Sequence, residues 1–317
     1  MRLPVPVDTA VLLAAGRGSR LSPWTDRVPK PLLVHRGRPT LDLVLDSLAL
    51  AGVSRVVLVT HHLAEQFEPY AAQRTAATGQ QIVRVHQDNL FGTAHALQCV
   101  MYARPELLVT PFVLSATDYL VPPPFYDDLL RFHAAHDAAL TISLKALGED
   151  GATRSSVRFA AASPDVDERA APRDGTPPDA ASTDALVDAG PEEIDARTAR
   201  PGQSGGGGDA VDDDGSSDAR SSGETDVPID AASLAERDIL EIVEKPAPGT
   251  APSAIGANLC FVLPPEVLEH VIETGASPRG EREIQTTINA WLAAGGRARG
   301  LLQAAPAEWD PEESTRF

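Results

Sequence analysis

Along most of the chain, short apolar runs alternate with stretches whose apolar residues fall on one side of a helix. Thr9 to Ala15 is a compact apolar run that ends in Gly-Arg-Gly, the pattern of a buried strand entering a tight turn. Similar runs predict further buried strands at Arg55 to Thr60, Gln81 to His86, Pro111 to Ser115, Ala139 to Lys145 and Asn258 to Leu263. Leu41, Val44, Leu45 and Leu48 fall at i, i+3, i+4 and i+7, and Thr93 to Tyr102 and Phe125 to His136 have comparable spacing, which predicts helices with one apolar face. Pro265 to Ile272 and Glu281 to Leu292 read as two more helices, the second carrying Ile284, Ile288, Trp291 and Leu292 on one side. Strands alternating with helices imply an α/β fold: a single doubly wound, mostly parallel, Rossmann-like sheet with helices on both faces.

From Ala160 to Glu236 this periodicity stops. The stretch is Gly, Ser, Asp, Pro and Ala with no aromatic residue, and it holds 19 acidic against 5 basic residues. Too little apolar surface is present to offset the entropy of ordering it, so residues 160–236 are expected to form a disordered acidic insertion inside one domain spanning 1–317. Ser156 to Ala160 and Asp238 to Glu244 would then be the arms of a hairpin with a greatly expanded turn. Such an expansion costs little, because closure entropy grows only logarithmically with loop length.

The insertion also changes how the charge is read. The whole chain carries −18, but −14 of it lies in 160–236, leaving the remainder at −4. No basic face suited to nucleic acid remains. Val11 to Ala15 is too short to cross a bilayer and no signal-peptide pattern is present, so a soluble, cytoplasmic protein without membrane contact is expected. The basic residues are 24 Arg and only three Lys, at Lys30, Lys145 and Lys245. With the Asp-rich loops, this resembles halophilic proteins of salt-loving archaea, whose acidic surface is tolerated because salt screens its self-repulsion. Cys99 and Cys260 lack metal-ligand spacing and read as small buried apolar residues.

The candidate chemistry begins with L-A-A-G-R-G-S-R-L at 13–21, followed by P-K-P-L-L at 29–33. Gly16 and Gly18 allow backbone N–H groups to turn toward a triphosphate, and Arg20 and Lys30 can neutralise phosphate charge. The stretch is not a dinucleotide fingerprint, since the third Gly is missing and Ser22-Pro23 discourages a helix. A second segment, Q-D-N-L-F-G-T-A-H-A at 87–96, offers an amide that can pair with a base edge and a Gly that allows close approach. Thr93 there is a natural helix N-cap, and His95 reads as packing. A third, P-F-V-L-S-A-T-D-Y-L at 111–120, is an apolar strand ending in Asp118 at the carboxyl edge of the sheet, where open α/β sheets bind ligands.

Together these segments resemble the sugar-1-phosphate nucleotidyltransferase family, with the nine-residue gap between Arg20 and Lys30 matching its sugar branch. The resemblance implies nucleotide binding by Ala14, Ala15, Gly16, Arg17, Gly18 and Ser19, and by Gln87, Gly92 and Thr93, the segment at 87–96 being similar to that of N-acetylglucosamine-1-phosphate uridylyltransferases. It implies catalytic roles for Arg20, Lys30 and Asp118, and Mg²⁺ on Asp118, although Ala116-Thr117 stands where Gly commonly precedes the Asp. E-I-V-E-K-P at 241–246 and R-G-E-R-E-I at 279–284 resemble the family's sugar-side segments. They imply sugar phosphate binding by Glu244, Lys245, Gly256 and Glu281. Glu308-Trp309-Asp310 resembles the W-x-D motif whose Asp completes the metal site, but no residue separates the Trp from the Asp.

The implied substrates are an NTP, UTP or dTTP, and a sugar 1-phosphate, with Lys30, Asp118 and Lys245 converging on one cleft; the sequence leaves room for a homo-oligomer. A non-catalytic homologue that binds a nucleotide sugar is the alternative. A glycosyltransferase would need D-x-D, which occurs only at 165–167 and 212–214, inside the insertion. The insertion reading predicts that limited proteolysis cuts within 160–236 and leaves two flanking fragments intact and associated; protection across that stretch would oppose it.

Overall fold

Residues 9–14 form a strand buried on both faces, because its alternate side chains meet two different hydrophobic clusters. Ala10, Leu12 and Ala14 point into one cluster and Val11 into the other. This strand sits inside a nine-stranded sheet in a computed structural model that describes residues 6–136, 138–148, 155–161, 230–247, 249–277 and 279–314. Residues 162–229, most of the expected insertion, lie outside the described residues.

In chain order the strands are β1 (Thr9–Ala14), β2 (Val34–His35), β3 (Arg38–Pro39), β4 (Arg55–Thr60), β5 (Gln81–His86), β6 (Phe112–Ala116), β7 (Tyr119–Leu120), β8 (Leu140–Ala146), β9 (Ser156–Phe159), β10 (Ile239–Val243), β11 (Ile255–Leu263), β12 (Ala298–Leu302) and β13 (Ala307–Glu308). The helices are α1 (Thr40–Leu50), α2 (Phe67–Thr78), α3 (Thr93–Ala103), α4 (Phe125–Ala135), α5 (Ala231–Ala235), α6 (Leu268–Glu273), α7 (Ile284–Ala293) and α8 (Pro311–Ser314).

The main sheet has the order β5-β4-β1-β6-β11-β8-β12-β10-β9. β4, β1 and β6 pair in parallel, as do β4 with β5 and β8 with β12, while β11 and β10 run antiparallel to their neighbours. Seven of the nine strands therefore point the same way, as a mostly parallel sheet requires. One face is covered by α1 and α4 through Leu41, Leu45, Leu48, Phe125 and Leu129, joined by Phe67 of α2. The other is covered by α3, α6 and α7 through Leu97, Val100, Val271, Ile284, Ile288 and Trp291. Each such side chain, fully buried, contributes roughly 1.5–3 kcal/mol. Among the described residues no helix is long and apolar enough to cross a membrane.

The arms expected on either side of the insertion do pair: β9 and β10 are antiparallel, with Val243 opposite Ser156 and Ile239 opposite Phe159. The expected span of disorder was drawn too far, however, since residues 231–235 form α5. Asp230 caps this helix by accepting from the Ala232 N–H at 3.0 Å, and Leu234 buries into the core. Two of the longer elements, α2 and β12, had no sequence signal strong enough to predict. α2 is Ala-rich and buries only Phe67 and Ala71. β12 is five residues long and contains Gly300.

Gly300 has a packing reason. A Cβ on it would collide with the Leu144 side chain and lie 3.1 Å from Ile239 Cδ1, so the sheet closes there only over a bare backbone. Gly300→Ala is expected to lower stability by about 1–3 kcal/mol through overpacking, read from the midpoint of chemical denaturation.

Candidate active site

β1 delivers the chain to Ala15-Gly16-Arg17-Gly18 at the carboxyl edge of the sheet. Gly18 adopts φ 63°, which favours glycine, and a Cβ there would stand 2.9 Å from Thr25 Cγ2 and 3.2 Å from Lys30 Cβ. The turn is held from outside: buried Thr25 donates its hydroxyl to the Gly18 carbonyl at 2.9 Å, and His62 Nε2 hydrogen-bonds the Thr25 carbonyl at 2.9 Å. The neighbouring Trp24 meets Trp309 edge-to-face at 6.0 Å, and the Trp309 indole N–H donates to the Val34 carbonyl at 2.9 Å. The Gly18 end of the glycine loop is thereby fixed by residues outside the loop.

Lys30 opens the short turn Lys30–Leu32 and places Nζ 2.6 Å from Asp118 Oδ2, across 88 residues of sequence. Asp118 stands just past β6. The preceding Thr117, where the family resemblance leads one to expect Gly, donates its hydroxyl to the Leu13 carbonyl at 2.9 Å. That bond ties the end of β6 to the end of β1, so the departure from the expected Gly has a structural use. An exposed ion pair would contribute less than about 1 kcal/mol. With Lys30 and Asp118 at only 16% and 33% side-chain exposure, the pair serves mainly to hold an ammonium and a carboxylate together at the floor of the cleft.

Across the cleft, buried Gln87 follows β5 and its Nε2 reaches the Gly92 carbonyl and His95 Nδ1, each at 3.1 Å. The Gly92 contact fixes the amide orientation, since the opposite one would set two oxygens face to face, and with His95 protonated on Nε2 both amide hydrogens are committed. His95 therefore orients Gln87 as well as packing against Phe91 at 5.3 Å. Gly92 has φ 103°, and a Cβ on it would fall 2.5–2.9 Å from the Arg282 backbone, so its smallness admits another segment of this chain.

Thr93 is not the N-cap of α3. That position is Gly92, and the Thr93 hydroxyl instead accepts from the Ile284 N–H at 2.9 Å, capping α7. Conversely the Arg282 carbonyl accepts from the Ala94 N–H at 2.8 Å. Each helix start is therefore satisfied by the segment preceding or opening the other, a cross-chain substitute for ordinary capping. Correspondingly α7 begins at Ile284 rather than Glu281.

The cleft has a volume of about 380 Å³, and eleven of the sequence-predicted residues line it: Ala14, Ala15, Gly16, Gly18, Arg20, Lys30, Gln87, Gly92, Thr93, Asp118 and Glu281. Arg17 and Ser19 belong to the same loop without joining the lining. Lys245 also falls outside it. Its backbone turns with φ 47° beside buried Pro246, and Lys245 is exposed. Gly256 lies on β11 opposite Lys145, where a Cβ would meet the Leu147 side chain and, at 2.7 Å, the Ser155 carbonyl. Its glycine is explained by packing.

Glu244 sits between these regions. It accepts from Gln285 Nε2 at 3.2 Å, with Arg279 4.0 Å away. Burial raises its carboxyl above the ordinary carboxylate range, and the negative charges of Glu283 and Glu281 add to this against Lys245 and Arg279.

Asp310 is exposed and its Oδ1 accepts from the Glu312 N–H at 2.6 Å, within the turn of α8. The pairing of β13 with β7, Glu308 opposite Tyr119, brings this segment alongside the residue next to Asp118. Among the described residues no group of three His, Cys, Asp or Glu could by itself hold a metal. One Asp118 oxygen faces Lys30 and the other remains, a donor set that fits Mg²⁺ shared with substrate phosphates and not an all-protein cage.

A glycine loop, a Lys–Asp pair at a strand end and a buried amide thus stand around one cleft. Residues 9–154, which carry all of these, match the family described as nucleotidyl transferase. Mannose-1-phosphate guanyltransferase beta-B of Xenopus laevis is 32% identical over 136 residues, 42% of this chain and 36% of its own length. The bifunctional protein GlmU of Mycobacterium bovis is 34% identical over 139 residues, 43% of this chain and 28% of its own length. The chain therefore spans about a third of the length of these curated relatives. The fold extends further: a UDP-glucose pyrophosphorylase solved with UDP-glucose superposes with a TM-score of 0.61 over 94% of this chain and 91% of that one, at 15% identity. A UTP-bound UGPase from Acinetobacter baumannii gives 0.59 over 94% and 86%, at 18% identity.

Glu244 yields a prediction with a definite sign. Because folding favours its neutral form, its contribution to stability is present at low pH and is lost as pH rises through its raised folded value. Ligand-free Glu244→Gln should therefore unfold at a higher temperature than the parent at neutral pH. The difference should shrink in acid, as measured by calorimetry from pH 4 to 8.

Proposed function

We propose that the protein transfers a nucleotidyl group from an NTP to a sugar 1-phosphate, forming a nucleotide sugar and pyrophosphate. The observation that carries this reading is the Lys30–Asp118 contact of 2.6 Å on the floor of a cleft walled by the glycine loop and Arg20. Backbone N–H groups of the loop at 14–19 orient the triphosphate, and Arg20 and Lys30 neutralise charge that grows on the leaving pyrophosphate. The sugar phosphate oxygen attacks the α-phosphorus in line, so no side chain need form a covalent intermediate and catalysis is positioning plus electrostatics. Glu244 and Glu281 would bind sugar hydroxyls on the far side of the cleft, with Lys245 approaching from the rim. Mg²⁺, held by Asp118 with Asp310 and by the substrate phosphates, would supply further charge neutralisation when bound.

Gln87 supplies a polar contact for the base. With both N–H groups committed, it offers an acceptor, which suits an N–H on the base. Such an acceptor can take the ring N–H of uracil, thymine or guanine and equally the exocyclic amino N–H of cytosine or adenine, so by itself it favours no base. UTP or dTTP is the reading retained, with GTP allowed by the same chemistry and by the guanylyltransferase relatives. The second reading, a non-catalytic nucleotide-sugar binder, draws on Asp310, which is engaged in the turn of α8 and follows Trp309 directly.

Pyrophosphate release, screened over five NTPs and a panel of sugar 1-phosphates with Mg²⁺ in molar KCl, tests both. Turnover with UTP or dTTP supports transfer, and binding without turnover supports the alternative. Lys30→Ala should lower kcat by about 10²–10³-fold, the loss typical of one preorganised charge-stabilising donor, with an unchanged circular dichroism spectrum. Near-normal activity of this variant would remove Lys30 from the mechanism.

A further inference from the structure

Arg282 lies outside the cleft lining, yet more hydrogen bonds meet on it than on any cleft residue described above. Its Nε donates to the Thr274 carbonyl at 2.7 Å, and Nη2 donates to the carbonyls of Val271 and Ile272, each at 3.0 Å. Nη1 donates to Gln98 Oε1 on α3 at 2.6 Å. The guanidinium thus satisfies carbonyls at the C-terminal end of α6, where cations are favoured, and ties that end to α3.

The backbone of the same residue is bound to the opposite side. Arg282 N–H donates to the Phe91 carbonyl at 2.6 Å, its carbonyl accepts from Ala94 N–H at 2.8 Å, and it presses against the bare Cα of Gly92. The Thr93 hydroxyl takes the Ile284 N–H two residues on. Residues 91–94 and 282–284 therefore move as one body. Gln87 is bonded to the first segment through Gly92, and Glu281 immediately precedes the second, and both face the cleft.

We propose that Arg282 is a positioning residue that sets the spacing between the base-reading turn at 87–93 and the sugar-side Glu281. The inference rests on the nucleotidyl-transfer reading above. Its physical content is that a planar group with five donors can hold four acceptors on two helices and a loop at once, whereas a lysine ammonium, a point charge on a flexible stem, cannot. Loosening it leaves both half-sites intact and lets them drift apart, and a misplacement of about 1 Å can cost on the order of 10²-fold in rate.

The test uses the full chain as Arg282→Lys, with Gln98→Leu and Thr93→Val as milder variants that each remove one tie. Expected for Arg282→Lys is a fall in kcat of at least about tenfold at saturating substrates, with the Kd for the NTP alone, from calorimetric titration, changed less than about threefold. The two milder variants should lose less in the same direction, and Arg282→Lys combined with Thr93→Val should lose less than the sum of the singles in free-energy terms. If Arg282→Lys does not fold, the two milder variants decide. Folded variants with kcat and both KM values within twofold of the parent overturn the positioning role. A lowered melting temperature with normal kcat overturns it as well, since that is the signature of a purely structural role. A parent protein that releases no pyrophosphate with any substrate pair overturns the transfer reading itself, a result distinct from either.

Discussion

The parallel pairing of β1 with β6 is the constraint from which the site follows. Ala10 to Leu13 lie beside Val113 to Ala116, so both strands end at the same edge of the sheet, and the Thr117 hydroxyl locks the two ends together through the Leu13 carbonyl. Because the strands run in the same direction, the loops that leave them must emerge side by side. One is the glycine loop and the other carries Asp118. A glycine loop on its own is an anion cradle of low specificity. Beside a strand-end carboxylate, with a lysine bridging the two, it becomes a place where phosphate charge can be handled on both sides of a bond.

The opposite wall is assembled by a different device. Neither α3 nor α7 has a side chain from its own N-cap residue satisfying its first N–H groups. The two helices instead supply each other, Thr93 to Ile284 and Arg282 to Ala94. A helix start made in this way draws on its partner, so local order at the turn 87–93 depends on tertiary contact with a segment about 190 residues away. Gly92 makes the contact sterically feasible. Its glycine would be read from sequence as room for a ligand; in the structure it is room for Arg282.

This difference marks where the sequence was legible. β1, β4, β5, β6 and β8, together with α1, α3, α4 and α7, follow from apolar runs and one-sided spacing, because burial imposes those patterns locally. The glycine loop, Lys30 and Asp118 could be picked out because glycines, a lysine and a strand-end carboxylate stand at recognisable places on two strand-loop units, and the fold brings them to one cleft. What escaped were the ties made between distant segments. Arg282 looks like one more arginine among 24, Thr25 like a loop residue and His95 like packing, since nothing in their neighbours reveals the carbonyls and amides they meet after folding. α2 and β12 escaped because Ala and Gly carry almost no amphipathic signal. Lys245 and Gly256 were assigned by resemblance to motifs, and the geometry gives one an exposed turn and the other a crowded strand.

The clasp between Trp309 and Val34 has a consequence for biosynthesis. Its partners are separated by 275 residues, so during translation the glycine loop leaves the ribosome long before the indole that steadies its flank has been made. Contacts of such high sequence separation are slow to gain, because loop closure must precede any reward. A nascent chain therefore carries an unclasped glycine loop until Trp309 has been made.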